Sequence, residues 1–221
     1  MKKQATLFLN GTFSKSDCLP FEPSKEDLIV CADGGVRHAF QSGRIPDLVI
    51  GDFDSIHEEE LKLLKEKEVE LLRFPADKDE TDMELAMEYL SQKGYGSVTL
   101  YAVLGGRIDH ELANLTVAVA FARKGVEVRF VANRLAGYVL HGPACLKLQG
   151  QIGETLSIIV VSPRAEGVNI NGLKWPLKDA ELSFGSARTL SNRFDEKSAQ
   201  ISLACGDLLV MHHCIQREAK G

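Results

Sequence analysis

Six short apolar runs separated by stretches of helical period fill the chain up to about residue 135, and this alternation limits its fold more than any other feature. The runs are ATLFL (5–9), LIVC (28–31), LVI (48–50), VELLRF (69–74), VTLYAVL (98–104) and VEVRFVA (126–132). Helical patterns lie between them near 35–42, 57–67, 81–93 and 109–124. Strands alternating with helices of this length imply βαβ units and a mainly parallel sheet covered on both faces. An α/β domain is therefore expected over residues 1–135.

After about residue 136 the helical period stops. YVLHG, CLKLQG, TLSIIVVSP, GVNING, AELSFG, ARTLSN, AQISLACGD and LLVMHHC follow one another between Gly, Asn and Pro turn signals. Pieces this short and evenly punctuated predict an all-β antiparallel sandwich over 136–221. No Pro/Ser-rich linker separates the two parts.

The 221 residues carry a net charge of −5, with 26% charged and 44% hydrophobic side chains, and no Lys/Arg block. That balance argues against nucleic-acid and membrane-surface partners and favours small ligands. The opening MKKQATLFLN is too short in its apolar part for a signal peptide and reads as a first strand. No run approaches the length of a membrane span, so a cytoplasmic location is expected. The cysteines at 18, 31, 145, 205 and 214 are odd in number and contain no C-x-x-C pair, which argues against a disulfide framework and a zinc site. His212-His213-Cys214 reads as incidental.

In an open α/β sheet, ligands bind outside the carboxyl ends of the strands. Here LIVC runs into Ala32-Asp33-Gly34-Gly35, LVI into Gly51-Asp52-Phe53-Asp54-Ser55, VELLRF into Asp77-Lys78-Asp79-Glu80-Thr81-Asp82, and VTLYAVL into Gly105-Gly106-Arg107-Ile108-Asp109-His110. Four strand ends thus deliver acids or glycines to one sheet edge. Thr81 and Glu84 form a capping-box pattern at a helix start, with an inward stripe expected at Leu85, Ala86, Tyr89 and Leu90 and Asp82 on the same face. If 52–54 is extended, Asp52 and Asp54 point to one locus with Phe53 turned away. Like charges so placed need a cation between them, and magnesium suits carboxylates and phosphates. Gly34-Gly35 and Gly105-Gly106 could bring backbone N–H groups to an anion, and Lys78 and Arg107 add positive charge. Asn10-Gly11, ending the first strand, is most simply a turn. Neither a G-x-x-x-x-G-K-[ST] loop nor a G-x-G-x-x-G fingerprint occurs. The residues alone predict magnesium-assisted chemistry on a phosphorylated compound.

Taken in order, these four segments resemble the motif series of thiamine pyrophosphokinases, as do Gly172-Leu173-Lys174-Trp175-Pro176-Leu177 and Leu190-Ser191-Asn192 in the second part. The resemblance implies transfer of the terminal pyrophosphoryl group of ATP to the hydroxyl of thiamine by a homodimer with its thiamine site at the interface. It implies Mg2+ on Asp33, Asp52, Asp54 and Asp82. Lys78, Asp79, Arg107 and the glycine pairs Gly34-Gly35 and Gly105-Gly106 then lie near the nucleotide, which Asn10, ending the first strand at the same sheet edge, could also approach. Asp109, Ser191 and Asn192 fall to thiamine, and Trp175 stacks on it. Asp54, Asp79 and Asp82 are the acids nearest the chemistry, with Asp54 or Asp79 as proton acceptor. Two rival readings stay open: a D-x-D phosphatase that uses the 52–54 acids as an aspartyl nucleophile, and a non-catalytic ligand-sensing module.

Overall fold

The computed structural model describes residues 2–14, 23–132 and 134–214. The chain divides into two compact units, Met1–Asn133 and Arg134–Gly221.

The first unit holds β1 (Lys3–Phe8), β2 (Leu28–Ala32), α1 (Val36–Gln41), β3 (Leu48–Gly51), α2 (Glu58–Glu66), β4 (Glu70–Arg73), α3 (Asp82–Gln92), β5 (Tyr95–Tyr101), α4 (Ile108–Arg123) and β6 (Glu127–Ala132). Its strands are ordered β6-β5-β1-β2-β3-β4, and every neighbouring pair is parallel. Leu7 sits opposite both Val30 and Leu100, and Val30, Leu100, Val49 and Ile50 are fully buried. Strands buried on both faces explain why the runs read as continuous apolar stretches, not as alternation. One face packs Phe8, Cys31, Val49 and Tyr101 against Val36 and Ala39 of α1 and Leu64 of α2. Met83, Ala86, Met87 and Leu90 are the buried residues of α3, which packs on β2, β3 and β5. The buried stripe is therefore rotated from the expected one: the two methionines fill it, Leu85 and Tyr89 are half-buried, and Tyr89 lies 5.5 Å under the Lys93 ammonium. Chain order reverses between β1 and β5, and a crevice outside the carboxyl ends follows from that reversal.

The second unit comprises β7 (Leu135–His141), β8 (Ala144–Gln149), β9 (Thr155–Val160), β10 (Arg164–Asn171), β11 (Leu177–Ser183), β12 (Asn192–Arg193), β13 (Ser198–Leu203) and β14 (Asp207–His213). Within it, β12-β9-β14-β7 and β11-β10-β13-β8 are antiparallel. Inward residues at period 2, such as Leu156, Ile158 and Val160 on β9 and Ala199, Ile201 and Leu203 on β13, meet in one core. The fold is thus an α/β unit followed by an antiparallel β sandwich, as the rhythm of the sequence predicts.

One local expectation changes. ARTLSN is not a strand: Ser191 adopts φ 56°, and the buried Thr189 hydroxyl donates to Ile158 O at 2.7 Å, so the segment is a turn until Asn192. The His212 ring is buried and paired, its Nε2 lying 2.8 Å from Glu154 Oε2 under the Phe194 ring. The described cysteines, at 31, 145, 205 and 214, carry free thiols, and Cys18 lies outside the described residues. Among the described residues no helix is long and apolar enough to cross a membrane.

Candidate functional site

A cleft of about 570 Å3 opens at the carboxyl edge of the parallel sheet, at the β1/β5 reversal. Every strand from β1 to β5 sends its following loop to this wall: Asn10 and Gly11, then Ala32 and Asp33, then Asp52, Asp54 and Ser55, then Lys78 and Asp82, then Gly106 and Arg107. Three non-glycine residues at these strand ends hold positive φ, Asp33 at 44°, Phe53 at 70° and Ala102 at 54°. Such strain persists where surrounding structure over-determines the backbone, and it clusters at functional sites.

Asp33, Asp52 and Asp54 each offer a carboxylate oxygen to one locus, with all three atoms within 4.8 Å of one another. The route to this convergence differs from the one expected. Residues 52–54 are not extended: Phe53 is left-handed, and Asp54 N donates to Asp52 Oδ1 at 3.0 Å, closing a turn. Phe53 is turned onto the core under α1 and α2, with the Arg73 guanidinium 5.8 Å from its ring. Arg73 Nε also donates to Asp52 O at 3.2 Å. From α1, Arg37 Nη2 donates to Ser55 O at 2.6 Å, while Glu60 pairs with Arg37 and accepts from His57 N at 2.9 Å. Two arginines from neighbouring elements thus brace the turn that carries the acids.

Asp33 is buried, and its Oδ1 has no hydrogen-bond partner. Burial pushes its carboxyl above the usual range, Ser55 and the Gly34 N–H pull it back, and Asp82 and Asp54 push it up again. An orphaned buried carboxylate oxygen beside two further carboxylates fits a hard divalent cation: magnesium binds oxygens at about 2.1 Å, so opposite ligands stand about 4 Å apart. Asp82 stands at the start of α3, where Thr81 Oγ1 accepts from Glu84 N at 3.2 Å. The cation that Asp82 needs is supplied by Lys78, whose Nζ lies 2.6 Å from its Oδ1.

The glycine pairs differ in purpose. Gly34 and Gly35 are buried and do not line the cleft; a Cβ at Gly35 would strike Phe8 O, and one at Gly34 would meet the Asn10 amide at 2.6 Å. They are glycine because a tight turn packs against the end of β1, and the Gly34 N–H is hydrogen-bonded to the Asp33 carboxylate. Gly105 and Gly106 do present N–H groups, and both donate to Glu111 Oε1 at 2.8 Å. Asn10-Gly11 is not a plain turn either. Leu9, Gly11 and Thr12 donate to Tyr101, Ala102 and Leu104 carbonyls, so the segment runs beside the β5 loop and brings Asn10 to the wall.

Arg107 and Asp109 form an exposed pair at 2.5 Å, and the Arg107 hydrogen bonds hold the Asp109 carboxyl down at about 2. Arg107 lines the cleft, whereas Asp79 and Asp109 do not and are exposed. Glu111 and Asn114 line it as well. Motif reading passed over these two, although Arg107, His110, Glu111 and Asn114 form a polar stripe at helical spacing along α4.

In the second unit Trp175 is 52% exposed and forms a smaller hollow of about 310 Å3 with Pro176, Leu177, Arg188 and Thr189. The buried Asn192 clamps its backbone, accepting from Trp175 N at 3.1 Å and donating to Trp175 O at 2.8 Å. Asn192 therefore holds the tryptophan and has its amide turned to that backbone. Ser191 is exposed beside it, its N–H donating to Ser157 Oγ at 3.0 Å. Lys174 Nζ lies 5.2 Å from the indole.

The family model for the thiamin pyrophosphokinase catalytic domain matches residues 22–130, and that for the thiamin pyrophosphokinase vitamin B1 binding domain matches residues 145–208. The chain belongs to the thiamine pyrophosphokinase family. Membership of the thiamine pyrophosphokinases makes it an enzyme, of the thiamine diphosphokinase class, which forms thiamine diphosphate from thiamine. It is 25% identical over 185 residues to the thiamine pyrophosphokinase of Bacillus subtilis (strain 168), covering 83% of this chain and 86% of the relative. The crystal structure of thiamine pyrophosphokinase from Bacillus subtilis matches at TM-score 0.84 and 22% identity, over 97% of this chain and 100% of that one. That of thiamin pyrophosphokinase from Geobacillus thermodenitrificans matches at 0.80 and 24%, over 97% and 99%. At these identities the structural likeness establishes the fold.

Proposed function

We propose that the enzyme transfers the terminal pyrophosphoryl group of ATP to the hydroxyethyl oxygen of thiamine, giving thiamine diphosphate and AMP, with Mg2+ held by Asp33, Asp52 and Asp54. The observation that carries this reading is the convergence of those three carboxylates, with an orphaned Asp33 oxygen among them, in a cleft that also holds Lys78, Arg107 and a pair of glycine amides. When bound, the cation neutralises charge developing on the phosphoryl oxygens. Asp82 would complete the ligand set if released from Lys78, and the freed ammonium would then be available to a phosphate oxygen.

The chain's own residues do the rest. The thiamine oxygen bonds to the β-phosphorus as the bond to the AMP oxygen breaks, and the hydroxyl proton passes to a carboxylate. Asp54 is the better acceptor of the two considered, because it stands in the cleft wall and Asp79 does not. Arg73 and Arg37 hold the 52–55 turn in place during this step. In this reading the first unit, about 1–135, is the catalytic and ATP-binding domain, and 136–221 is the thiamine-binding domain. Asp109 and Ser191 meet the aminopyrimidine, and the exposed Trp175 ring stacks on thiamine. A homodimer with its thiamine site at the interface belongs to the same reading, supported by the exposure of that ring, and a cytoplasmic location is proposed with it.

Incubation with ATP, Mg2+ and thiamine tests the reaction: thiamine-dependent AMP is expected, and its absence would remove the proposal. A phosphoenzyme with release of inorganic phosphate would favour the D-x-D phosphatase instead. In the same assay Trp175→Ala is expected to raise the KM for thiamine about tenfold with little change in kcat, since a cation over an indole is worth about 1–2 kcal/mol. An unchanged KM would take the ring out of the site.

A further inference from the structure

Three anion-suited groups at the cleft already face a carboxylate of the chain itself. Lys78 meets Asp82 at 2.6 Å, Arg107 meets Asp109 at 2.5 Å, and the amides of Gly105 and Gly106 both meet Glu111 Oε1 at 2.8 Å. The last arrangement differs from the two ion pairs, because two successive backbone N–H groups converging on one oxygen form the kind of concavity that binds phosphate. Gly105 reaches it with φ 91°, and a Cβ at Gly106 would meet nothing within 4 Å, so this loop borders open space. Glu111 comes from the first turn of α4 and itself lines the cleft.

We propose that the Glu111 carboxylate is an internal stand-in for a phosphate group of the nucleotide, so that ATP binds by displacing Glu111 from the Gly105–Gly106 amides. The proposal rests on the nucleotide reading above. A free carboxylate at this spot serves the unliganded protein by satisfying two amides and holding the loop in its receptive shape. It also opposes the incoming polyanion twice, by occupying its donors and by repelling its charge. Loss of the charge therefore strengthens nucleotide binding, whereas loss of a simple structural brace would weaken it.

The test is calorimetric titration of the full chain with Mg2+ and α,β-methylene-ATP, whose α–β bridge is not cleaved, in the absence of thiamine. Glu111→Gln keeps the shape and an acceptor oxygen but removes the charge, and Glu111→Ala removes the contact altogether. Both are expected to bind about tenfold more tightly than the wild type, the scale of one charge-assisted hydrogen bond. Glu80→Gln, which neutralises another cleft carboxylate away from the two amides, controls for long-range charge and is expected to change binding by about twofold at most. Wild-type binding with unchanged or weaker binding in both Glu111 variants would overturn the proposal and leave the nucleotide site intact. An equal gain in Glu80→Gln would overturn it too, by assigning the effect to net charge. Absence of any binding by the wild type would overturn the nucleotide reading itself.

Discussion

Asp54→Asn is expected to lower kcat/KM by about a thousandfold, or roughly 4 kcal/mol of transition-state stabilisation, while leaving the metal-free protein at least as stable as before. Asparagine keeps an oxygen that can accept from Ser55 Oγ, which donates to Asp54 Oδ1 at 2.9 Å, so the 52–55 turn survives. What it loses is one of three negative charges gathered within 4.8 Å. Without a cation those charges repel, and removing one relieves the fold even as it removes a metal ligand and the proton acceptor. Steady-state kinetics on the variant, paired with thermal melting in chelator, check both halves. Retained turnover would take Asp54 out of the metal site, and a large fall in melting temperature would make its role structural.

Gly35→Ala is expected to destabilise the chain by about 2–3 kcal/mol, against the sign of helix propensity. The backbone at Gly35 is already helical, φ −57° and ψ −17°, so alanine is conformationally acceptable there and would otherwise add stability. Its Cβ, however, would strike Phe8 O and lie 2.7 Å from Phe8 C, both backbone atoms of a central strand that cannot swing aside. Relief requires the turn carrying Asp33 to move away from β1, so the metal site is disturbed as well. Gly106→Ala is the matched control, since a Cβ there meets nothing within 4 Å, and its melting temperature should stay within the range of a surface change. Denaturant unfolding of the two variants side by side decides whether packing sets the first glycine pair.

These two glycine pairs show how far sequence reasoning reaches here. Both G-G pairs lie between a strand and a helix, and their letters are the same. One is imposed by the close approach of Phe8 and Asn10, the other frees two amides for an anion, and the difference lies in long-range neighbours that local sequence does not contain. Placement of the acids was legible because it follows from strand direction alone: parallel strands all end at one edge, so an acid after each strand reaches the same cleft. An extended 52–54 would turn Phe53 away from the acids, whereas the Asp54 N to Asp52 Oδ1 bond closes a left-handed turn instead. The same convergence results from a different local structure. The α3 stripe holds at Ala86 and Leu90, but Met83 and Met87 take the sheet face in place of Leu85 and Tyr89. The clamp of Asn192 on Trp175 joins residues 17 apart in sequence and leaves no local pattern to find. Glu111 was findable, since a polar stripe from Arg107 to Asn114 on an apolar helix asks what it faces.

The most direct measurement for the central claim follows both outer phosphates of ATP in one reaction. With Mg2+, thiamine and ATP labelled at the β- and γ-phosphorus, the enzyme is predicted to move both labels together into thiamine diphosphate, with one AMP for each and no inorganic phosphate. Label appearing as ADP, as free phosphate, or on the protein would contradict pyrophosphoryl transfer at the Asp33, Asp52 and Asp54 site.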